Sequence, residues 1–333
     1  MVTFALVPDH RVSTRPARRW VRALLLALGL GLVGYFVWST GPANVAAALA
    51  EAGPWLPLLA LIEGLLVLTD VRAIAALLGP AAADVPMRSW FRSCALSYTC
   101  LALMPAGRTA SEAARATVLA PHVGSPRAVT AGAQLQAAAL LADAMISVLC
   151  AAVLAPFAER AKGLPLMLVA NAVVVGVGGG ALLVLARNER VATAVGKRFP
   201  RLVAGLAAGE GRPHTWGVKA CLWSFAGRVI QVLEFGVAVL AVGGILSLPS
   251  ATAAFGVHAV SATIGVAVPN QLGIADGAYV LYADILGFAA FPARALAAML
   301  AVRVTQVALA LFGMLVPALL RATAAPDSSS SRL

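Results

Sequence analysis

The chain has 333 residues, of which 61% are hydrophobic and only 12% are charged, and its formal net charge is +11. Soluble domains carry about 25% charged residues, so this composition excludes an ordinary soluble domain and indicates a membrane protein. The basic residues cluster in a few short loops, which is the positive-inside pattern of membrane proteins, so we expect no nucleic-acid partner.

Six apolar stretches are long enough to cross a hydrocarbon layer, which takes about 20 helical residues. They cover residues 20–39, 55–78, 129–155, 164–186, 215–242 and 292–320. The first stretch has no clear Ala-x-Ala site, so we expect it to stay as an anchor and not to be removed as a signal peptide. The sequence therefore predicts an all-α, polytopic integral membrane protein.

Two further apolar stretches are shorter, and each ends at a proline. Residues 89–104 precede Pro105, and residues 251–268 precede Pro269. A polar turn and a second helical stretch follow each proline, at residues 109–120 and 274–289. Broken helices at membrane depth are tolerated where they are buried in protein or line water, so we expect two re-entrant hairpins, at about 89–120 and 251–289.

The charged loops predict the orientation of the chain. If six segments span and two re-enter, the basic residues of one side are Arg11, Arg15, Arg18, Arg19, Arg88, Arg92, Arg127, Arg187, Arg190, Lys197, Arg198, Arg201, Arg212, Arg321 and Arg332. The opposite loops carry Arg160, Lys162 and Arg294. We therefore expect an inner-membrane protein with both termini in the cytoplasm.

Three segments outside the spans have their own expectations. Residues 1–19 form a basic cytoplasmic arm. The basic segment 187–212 is either a helix on anionic lipid or a solvated loop. Residues 321–333 include four serines, and we expect a disordered tail there.

The two hairpins resemble each other, which indicates an internal repeat. Glu112 lies seven residues after Pro105, as Asp276 does after Pro269, and both turns contain a glycine. Each half then consists of two spans, a hairpin and a third span. The halves cover residues 20–155 and 156–320. Because three spans is an odd number, the second half is inserted upside down, and broken helices meeting near the midplane are a transporter design.

Seven of the 14 acidic residues lie inside the apolar stretches: Glu63, Asp70, Glu112, Asp143, Glu234, Asp276 and Asp284. A charged group in hydrocarbon costs at least about 2.5–3.5 kcal/mol, so such groups face a bundle interior, a cavity or a partner. Polar stripes accompany them: Gln136, Asp143 and Ser147; Arg228, Gln231 and Glu234; Arg303 and Gln306; Glu63, Asp70 and Arg72. The stripes predict a hydrated groove, and the alternative is a set of structural pairs such as Asp143 with Arg303 or Glu234 with Arg228.

The first turn has the residue types of a phosphate site. Arg108 and Arg115 share a face of a helix that Thr109 or Ser111 could cap. Helix N-termini and arginines both bind phosphate well. The alternative is that Arg115 only neutralises Glu112 three residues before it.

The two turns resemble the signature turns of a flippase-like membrane family, which includes the membrane half of lysylphosphatidylglycerol synthase and stand-alone bacterial relatives. The family's first turn reads Pro-x-Arg-x-Gly-Glu and then Arg, and its second reads Pro-Gly-Gly-Leu-Gly and then Glu. Glu112 and Arg115 match best. The departures are Arg108, which is one place late, Ser111 and the pair Asn270 and Gln271, which replace glycines, and Asp276, which replaces the glutamate.

The resemblance implies movement of a phospholipid or other amphipathic lipid between leaflets. We expect no soluble synthase domain, since only a tail follows Leu320. The candidate translocation residues are Arg108, Glu112, Arg115, Asp143, Glu234, Asn270, Gln271, Asp276 and Arg303. Membrane lipids are the expected partners, and the sequence carries no signal for an oligomeric state.

Soluble-enzyme motifs do not occur in the sequence. There is no GxSxG, no P-loop and no GxGxxG followed by a strand, and neither the four histidines nor the four cysteines have metal-ligand spacing. His258 is expected to be a core residue. We therefore predict no catalysis, no cofactor and no metal. Two alternatives stay open: an H⁺- or Na⁺-coupled transporter of a small solute, and a non-transporting membrane partner of a lipid-modifying enzyme.

Overall fold

The structure, a computed structural model, describes residues 16–104, 107–198 and 217–322. Within these ranges the chain is helical and contains no strand. The helices are α1 Pro16–Thr40, α2 Pro42–Ala52, α3 Leu56–Leu78, α4 Met87–Leu103, α5 Gly107–Val123, α6 Ser125–Leu154, α7 Leu164–Arg187, α8 Glu189–Arg198, α9 Val218–Ala241, α10 Leu248–Ile264, α11 Ile274–Leu281 and α12 Pro292–Ala322. Short 3₁₀ turns lie at Gly53–Trp55, Gly79–Asp84, Ala155–Phe157 and Pro269–Gln271. Several positions of the sequence analysis lie outside the described residues: Arg11, Arg15, Pro105, Arg201, Arg212, Arg332 and the segment 323–333.

The described helices form a multi-pass membrane protein. Four of them are long and apolar enough to cross a membrane: Ser125–Phe157, Leu164–Arg187, Val218–Ala241 and Pro292–Leu315. Helix α1 contains a shorter apolar part at Ala27–Thr40. Helix α3 has 23 residues, but Glu63, Asp70 and Arg72 interrupt its apolar sequence. Its charges point to surroundings more polar than lipid.

The first hairpin consists of α4 and α5, which pack against each other. Ser89 Oγ and His122 Nε2 lie 2.9 Å apart and join the open ends of the two helices. Helix α5 is already helical at Gly107, so Thr109 and Ser111 lie within its first turns. The prediction that one of them caps this helix is wrong, because a cap must precede the first helical residue.

The second hairpin consists of α10, the turn Pro269–Gln271 and the short helix α11. Helix α11 has eight residues and ends at Leu281, whereas the sequence predicted helix as far as residue 289. The chain then continues as turns, in which Phe288 N donates to Ala283 O at 2.7 Å and Gly287 has φ of 85°. The helix ends at the C-cap residue Tyr282, whose φ of −97° and ψ of 15° depart from α-helical values.

Helix α2 was not predicted, and it lies where the sequence suggested a loop. Its sequence is rich in alanine and has Pro42 at the first helical position, which favours helix formation. Val45 packs with Leu296 of α12 in a small apolar cluster. At the same end, Arg294 donates to Val242 O at 2.7 Å and pairs with Glu51 at 3.1 Å.

Helices α3 and α9 are the second spans of the two predicted halves, and they pack closely. A methyl group at Gly227 would lie 2.7 Å from Thr69 Oγ1, and one at Gly217 would lie 2.6 Å from Leu77 Cδ2. Residue numbers rise along α9 as they fall along α3, so the two helices are antiparallel. The close approach at Gly227 depends on the absence of a side chain there.

Each hairpin packs on the last helix of the other predicted half. Helix α4 of the first hairpin contacts α12, and Thr99 Oγ1 donates to Ala310 O at 3.1 Å. Helix α10 of the second hairpin contacts α6. The two predicted halves are therefore in contact through their hairpins.

An aromatic group lies at the centre of the largest apolar core. The ring of Phe235 lies 6.5 Å from that of Phe255 and 6.3 Å from that of Tyr279. The Tyr279 hydroxyl donates to Ala254 O at 2.9 Å, so its polar atom is satisfied inside the core. This group joins α9, α10 and α11 and supports one wall of the cavity described next.

Candidate functional site: a polar cavity between the hairpins

A cavity of about 490 Å³ lies between the two hairpins. Its walls come from helices α3 to α7, α9, α10 and α12 and from the turn at residues 269–271. Ligand cavities typically measure about 300–1,000 Å³, so this volume can hold a small molecule or a lipid headgroup.

Polar stripes on several helices face this cavity together. Glu63 and Asp70 of α3 both line it, as do Gln136 and Asp143 of α6. A separation of seven residues places both members of a pair on one helix face. Arg228 and Gln231 of α9 and Gln306 of α12 also belong to the polar lining. Ser147 lies deeper and accepts a hydrogen bond from Asn171 Nδ2 at 3.1 Å.

A cationic cluster forms one part of the wall. Asp143 contacts two guanidinium groups: Arg108 Nη1 lies 3.0 Å from its Oδ2, and Arg228 Nε lies 2.5 Å from its Oδ1. Two cations and one carboxylate leave a net charge of +1. The Arg108 side chain is 35% exposed, so it retains donors that can meet an anion in the cavity.

Arg115 lies outside the cavity lining. It is 5% exposed, and its Nη2 donates to Ser97 Oγ at 3.1 Å. The guanidinium is 3.9 Å from both Asp70 Oδ2 and Glu112 Oε2. The structure thus separates Arg115 from Arg108 and shows the ion pair with Glu112 that was the alternative reading. Glu112 itself lines the cavity.

The second turn is held by a buried ion pair. Arg303 Nη1 donates to both carboxylate oxygens of Asp276, at 2.6 and 2.7 Å, and its Nη2 donates to Asn270 O at 3.1 Å. Asp276 also accepts from Gly273 N at 2.7 Å. Asp276 is 0% exposed and Arg303 is 7% exposed, and neither lines the cavity. Their geometry is that of a clamp that fixes the turn.

The backbone of this turn has an unusual shape that presents two side chains to the cavity. Asn270 and Gln271 have φ of 46° and 51°, and Gly273 has φ of 79°. Asn270 and Gln271 line the cavity. Their buried Nδ2 and Oε1 atoms have no hydrogen-bond partner among the described residues. Burying a polar atom without a hydrogen-bond partner costs free energy, and a polar ligand that bonds these atoms would offset that cost.

Both structural pairs considered from the sequence are wrong. Asp143 pairs with Arg108 and Arg228, whereas Arg303 pairs with Asp276. Glu234 does not pair with Arg228; its carboxyl lies within hydrogen-bonding range of Glu63. These partners lie on helices that are distant in sequence, so their proximity depends on how the helices pack.

Two cavity residues, Arg228 and His258, were not among the predicted site residues. The sequence analysis placed Arg228 only in a polar stripe. Nothing in the sequence indicated that it would contact Asp143. The ring of His258 packs on the core residue Phe235 with centroids 4.5 Å apart, as the core prediction implied, and His258 also lines the cavity, which was not predicted. A polar residue within an apolar hairpin was the one signal that could have indicated this position.

The described residues contain no group of three or more His, Cys, Asp or Glu side chains that could hold a metal ion. The family model described as the lysylphosphatidylglycerol synthase TM region matches residues 20–313, which include both hairpins and every cavity residue. No curated protein and no solved structure matches the chain. The chain therefore belongs to the family of the lysylphosphatidylglycerol synthase TM region.

Proposed function

We propose that the protein moves a phospholipid or a related amphipathic lipid between the leaflets of the bacterial inner membrane. The observation that carries this proposal is the polar cavity of about 490 Å³ with a cationic cluster on its wall. A cavity of this kind lets a charged headgroup pass through a membrane protein without entering hydrocarbon.

The cationic cluster supports binding of the lipid phosphate. Arg108 and Arg228 have planar guanidinium groups, which bind phosphate oxygens in a two-pronged geometry. Asp143 holds both groups in place, and the cluster keeps its net charge of +1. In the proposed phosphate site, Arg228 therefore takes the place that the sequence analysis gave to Arg115, and Arg108 is retained.

The apolar residues at the edge of the cavity support a place for the lipid tails. Leu101 and Met104 at the end of α4 are 39% and 42% exposed, and Val266 after α10 is 64% exposed. All three also line the cavity. An edge with exposed apolar side chains allows acyl chains to remain in hydrocarbon while the headgroup enters.

The proposed topology has six spans, two re-entrant hairpins and two inverted halves, with both termini in the cytoplasm. The antiparallel packing of α3 and α9 and the reciprocal packing of the hairpins support inverted halves. Helix α11 has eight residues, which is about 12 Å and too short to cross a membrane. Arg294 bonds both Glu51 and Val242 O, so the segments expected outside the cell meet at one end.

Cysteine labelling tests this topology in a variant without the native cysteines. Ala46→Cys and Ile245→Cys lie on exposed positions of the proposed outer side, and Met87→Cys lies on the proposed cytoplasmic side. We expect an impermeant thiol reagent on intact cells to modify the first two and to spare Met87→Cys. Modification of Met87→Cys alone would show that the orientation is the reverse of the proposed one.

Leaflet transfer in proteoliposomes tests the function. Purified protein is reconstituted with fluorescent phosphatidylglycerol, and an impermeant quencher added outside reports the fraction of lipid that reaches the outer leaflet. We expect protein-dependent loss of fluorescence beyond the outer-leaflet fraction. Uptake of a water-soluble solute without lipid transfer would favour the small-solute transporter. Transfer that requires a co-purifying enzyme would favour the partner role.

A further inference from the structure

Two buried carboxyl groups face each other where the two halves of the protein meet. The α3–α9 register places Leu77 opposite Gly217 and Thr69 opposite Gly227, and the next contact along it is Glu63 with Glu234. Glu63 is 3% exposed and Glu234 is 0% exposed. The contact is therefore part of the interface between equivalent helices of the two halves.

The hydrogen-bonding groups around this contact do not satisfy two ionised carboxylates. Gln306 Nε2 donates to Glu63 Oε1 at 2.7 Å. Both oxygens of Glu234 are buried and receive no hydrogen bond from a donor group of the described residues. None of the ion pairs between described residues includes either carboxyl. An ionised carboxylate can only accept hydrogen bonds. Two carboxyl groups can therefore form a hydrogen bond with each other only if one of them carries a proton.

The other titratable groups nearby supply neither a hydrogen-bond donor nor a positive charge to Glu234. The Tyr98 hydroxyl of α4 lies within hydrogen-bonding range of Glu63, as the Glu234 carboxyl does, and it leaves Glu234 without a donor. Tyr279 of α11 lies near Glu234, but its hydroxyl donates to Ala254 O. Asp70 of α3 adds a negative charge on the same side as Glu63. Three further charged or titratable groups on the packed helices have other neighbours: Arg228 contacts Asp143, Arg303 contacts Asp276, and the His258 ring packs on Phe235.

We propose that Glu63 and Glu234 form a proton-binding site, which holds one shared proton and couples lipid transfer to the proton gradient across the membrane. The coupling rests on the proposed function. Glu63 lines the cavity and Glu234 lies behind it, so a proton can reach the pair from the cavity. Release of the proton leaves two like charges face to face in the interface between the halves, and their repulsion favours separation of α3 from α9. Movement of one half against the other is the motion that alternating access requires.

Infrared spectroscopy tests the shared proton without reference to transport. A protonated carboxyl group has a carbonyl band that a carboxylate lacks. We expect this band at neutral pH in the wild type purified in a detergent that has no carbonyl group, and a clearly weaker band in the double variant Glu63→Gln/Glu234→Gln. Asp284→Asn changes an exposed acid and serves as the control, so it should retain the band. Thermal unfolding shows whether the double variant folds, and Glu234→Gln alone provides a second, milder variant.

Two infrared results would overturn the proton site. One is a wild type without the band, in which both acids are ionised; added Na⁺ would then raise the unfolding temperature if a metal cation fills the site. The other is a band of undiminished intensity in the folded double variant. Either result leaves the lipid cavity as described.

Leaflet transfer under an imposed pH gradient tests the coupling. One proton per lipid shifts the leaflet ratio by up to about tenfold for a gradient of one pH unit. We expect the ratio of wild type to follow the gradient and that of Glu234→Gln to ignore it. Wild-type transfer that ignores the gradient would overturn the coupling while the lipid function stands. If no condition gives transfer of any lipid, the proposed function fails, and the infrared result still decides the shared proton.

Discussion

Arg303→Ala is expected to lower the free energy of unfolding by about 3–5 kcal/mol, because it leaves Asp276 as a buried charge without its partner. Asp276 is 0% exposed, and Gly273 N would remain as its only donor among the contacts described. The same substitution frees Asn270 O, so the left-handed turn would lose its support. Thermal unfolding of the purified protein in detergent measures the change.

Two further variants separate the clamp from a general effect of charge removal. Asp276→Asn/Arg303→Leu removes both charges and retains an acceptor for Gly273 N, so it should regain part of the lost stability. Glu51→Ala removes a half-exposed partner of Arg294, and such pairs contribute only about 0–1 kcal/mol. If Arg303→Ala unfolds at the same temperature as Glu51→Ala, Asp276 and Arg303 do not act as a clamp.

Arg108→Ala is expected to weaken the binding of an anionic phospholipid by roughly 10- to 150-fold, since a hydrogen bond to a charged group is worth about 1.5–3 kcal/mol. The substitution also reduces the net charge of the cluster from +1 to zero. Arg108→Lys keeps the charge but loses the two-pronged geometry, so its effect should be smaller. Equilibrium binding of fluorescent phosphatidylglycerol to protein in nanodiscs measures the change.

Arg88→Ala is the matched control for this prediction. Arg88 is an exposed arginine at the start of α4 and does not line the cavity, so its loss should leave binding within a factor of about two. Wild-type affinity in Arg108→Ala, with Arg228 and Asp143 intact, would remove the cluster from headgroup recognition. A weaker affinity in Arg115→Ala would carry less weight, because Arg115 is buried against Asp70 and Glu112 and its loss also affects folding.

The sequence by itself determined the class of the protein and the positions of its broken helices. A long apolar segment predicts a membrane helix, because a chain in hydrocarbon must form all of its backbone hydrogen bonds within the segment itself. The prolines and glycines of the two turns interrupt this pattern locally, so the hairpins could be located without knowledge of the packing. The polar stripes also follow from helical spacing alone, as Gln136 and Asp143 on one face of α6 illustrate.

Only the tertiary structure decided which polar residues meet. The sequence could not distinguish Arg303 from Arg228 as the partner of Asp143, because both lie on apolar helices far away in the chain. Helix packing placed Arg228 and Arg108 beside Asp143 and left Arg303 to Asp276. The same packing brought Glu63 to Glu234, through the close approach of α3 and α9 at Gly227. A helical stripe specifies the direction of its side chains, whereas the contact they make depends on the register and direction of the neighbouring helix.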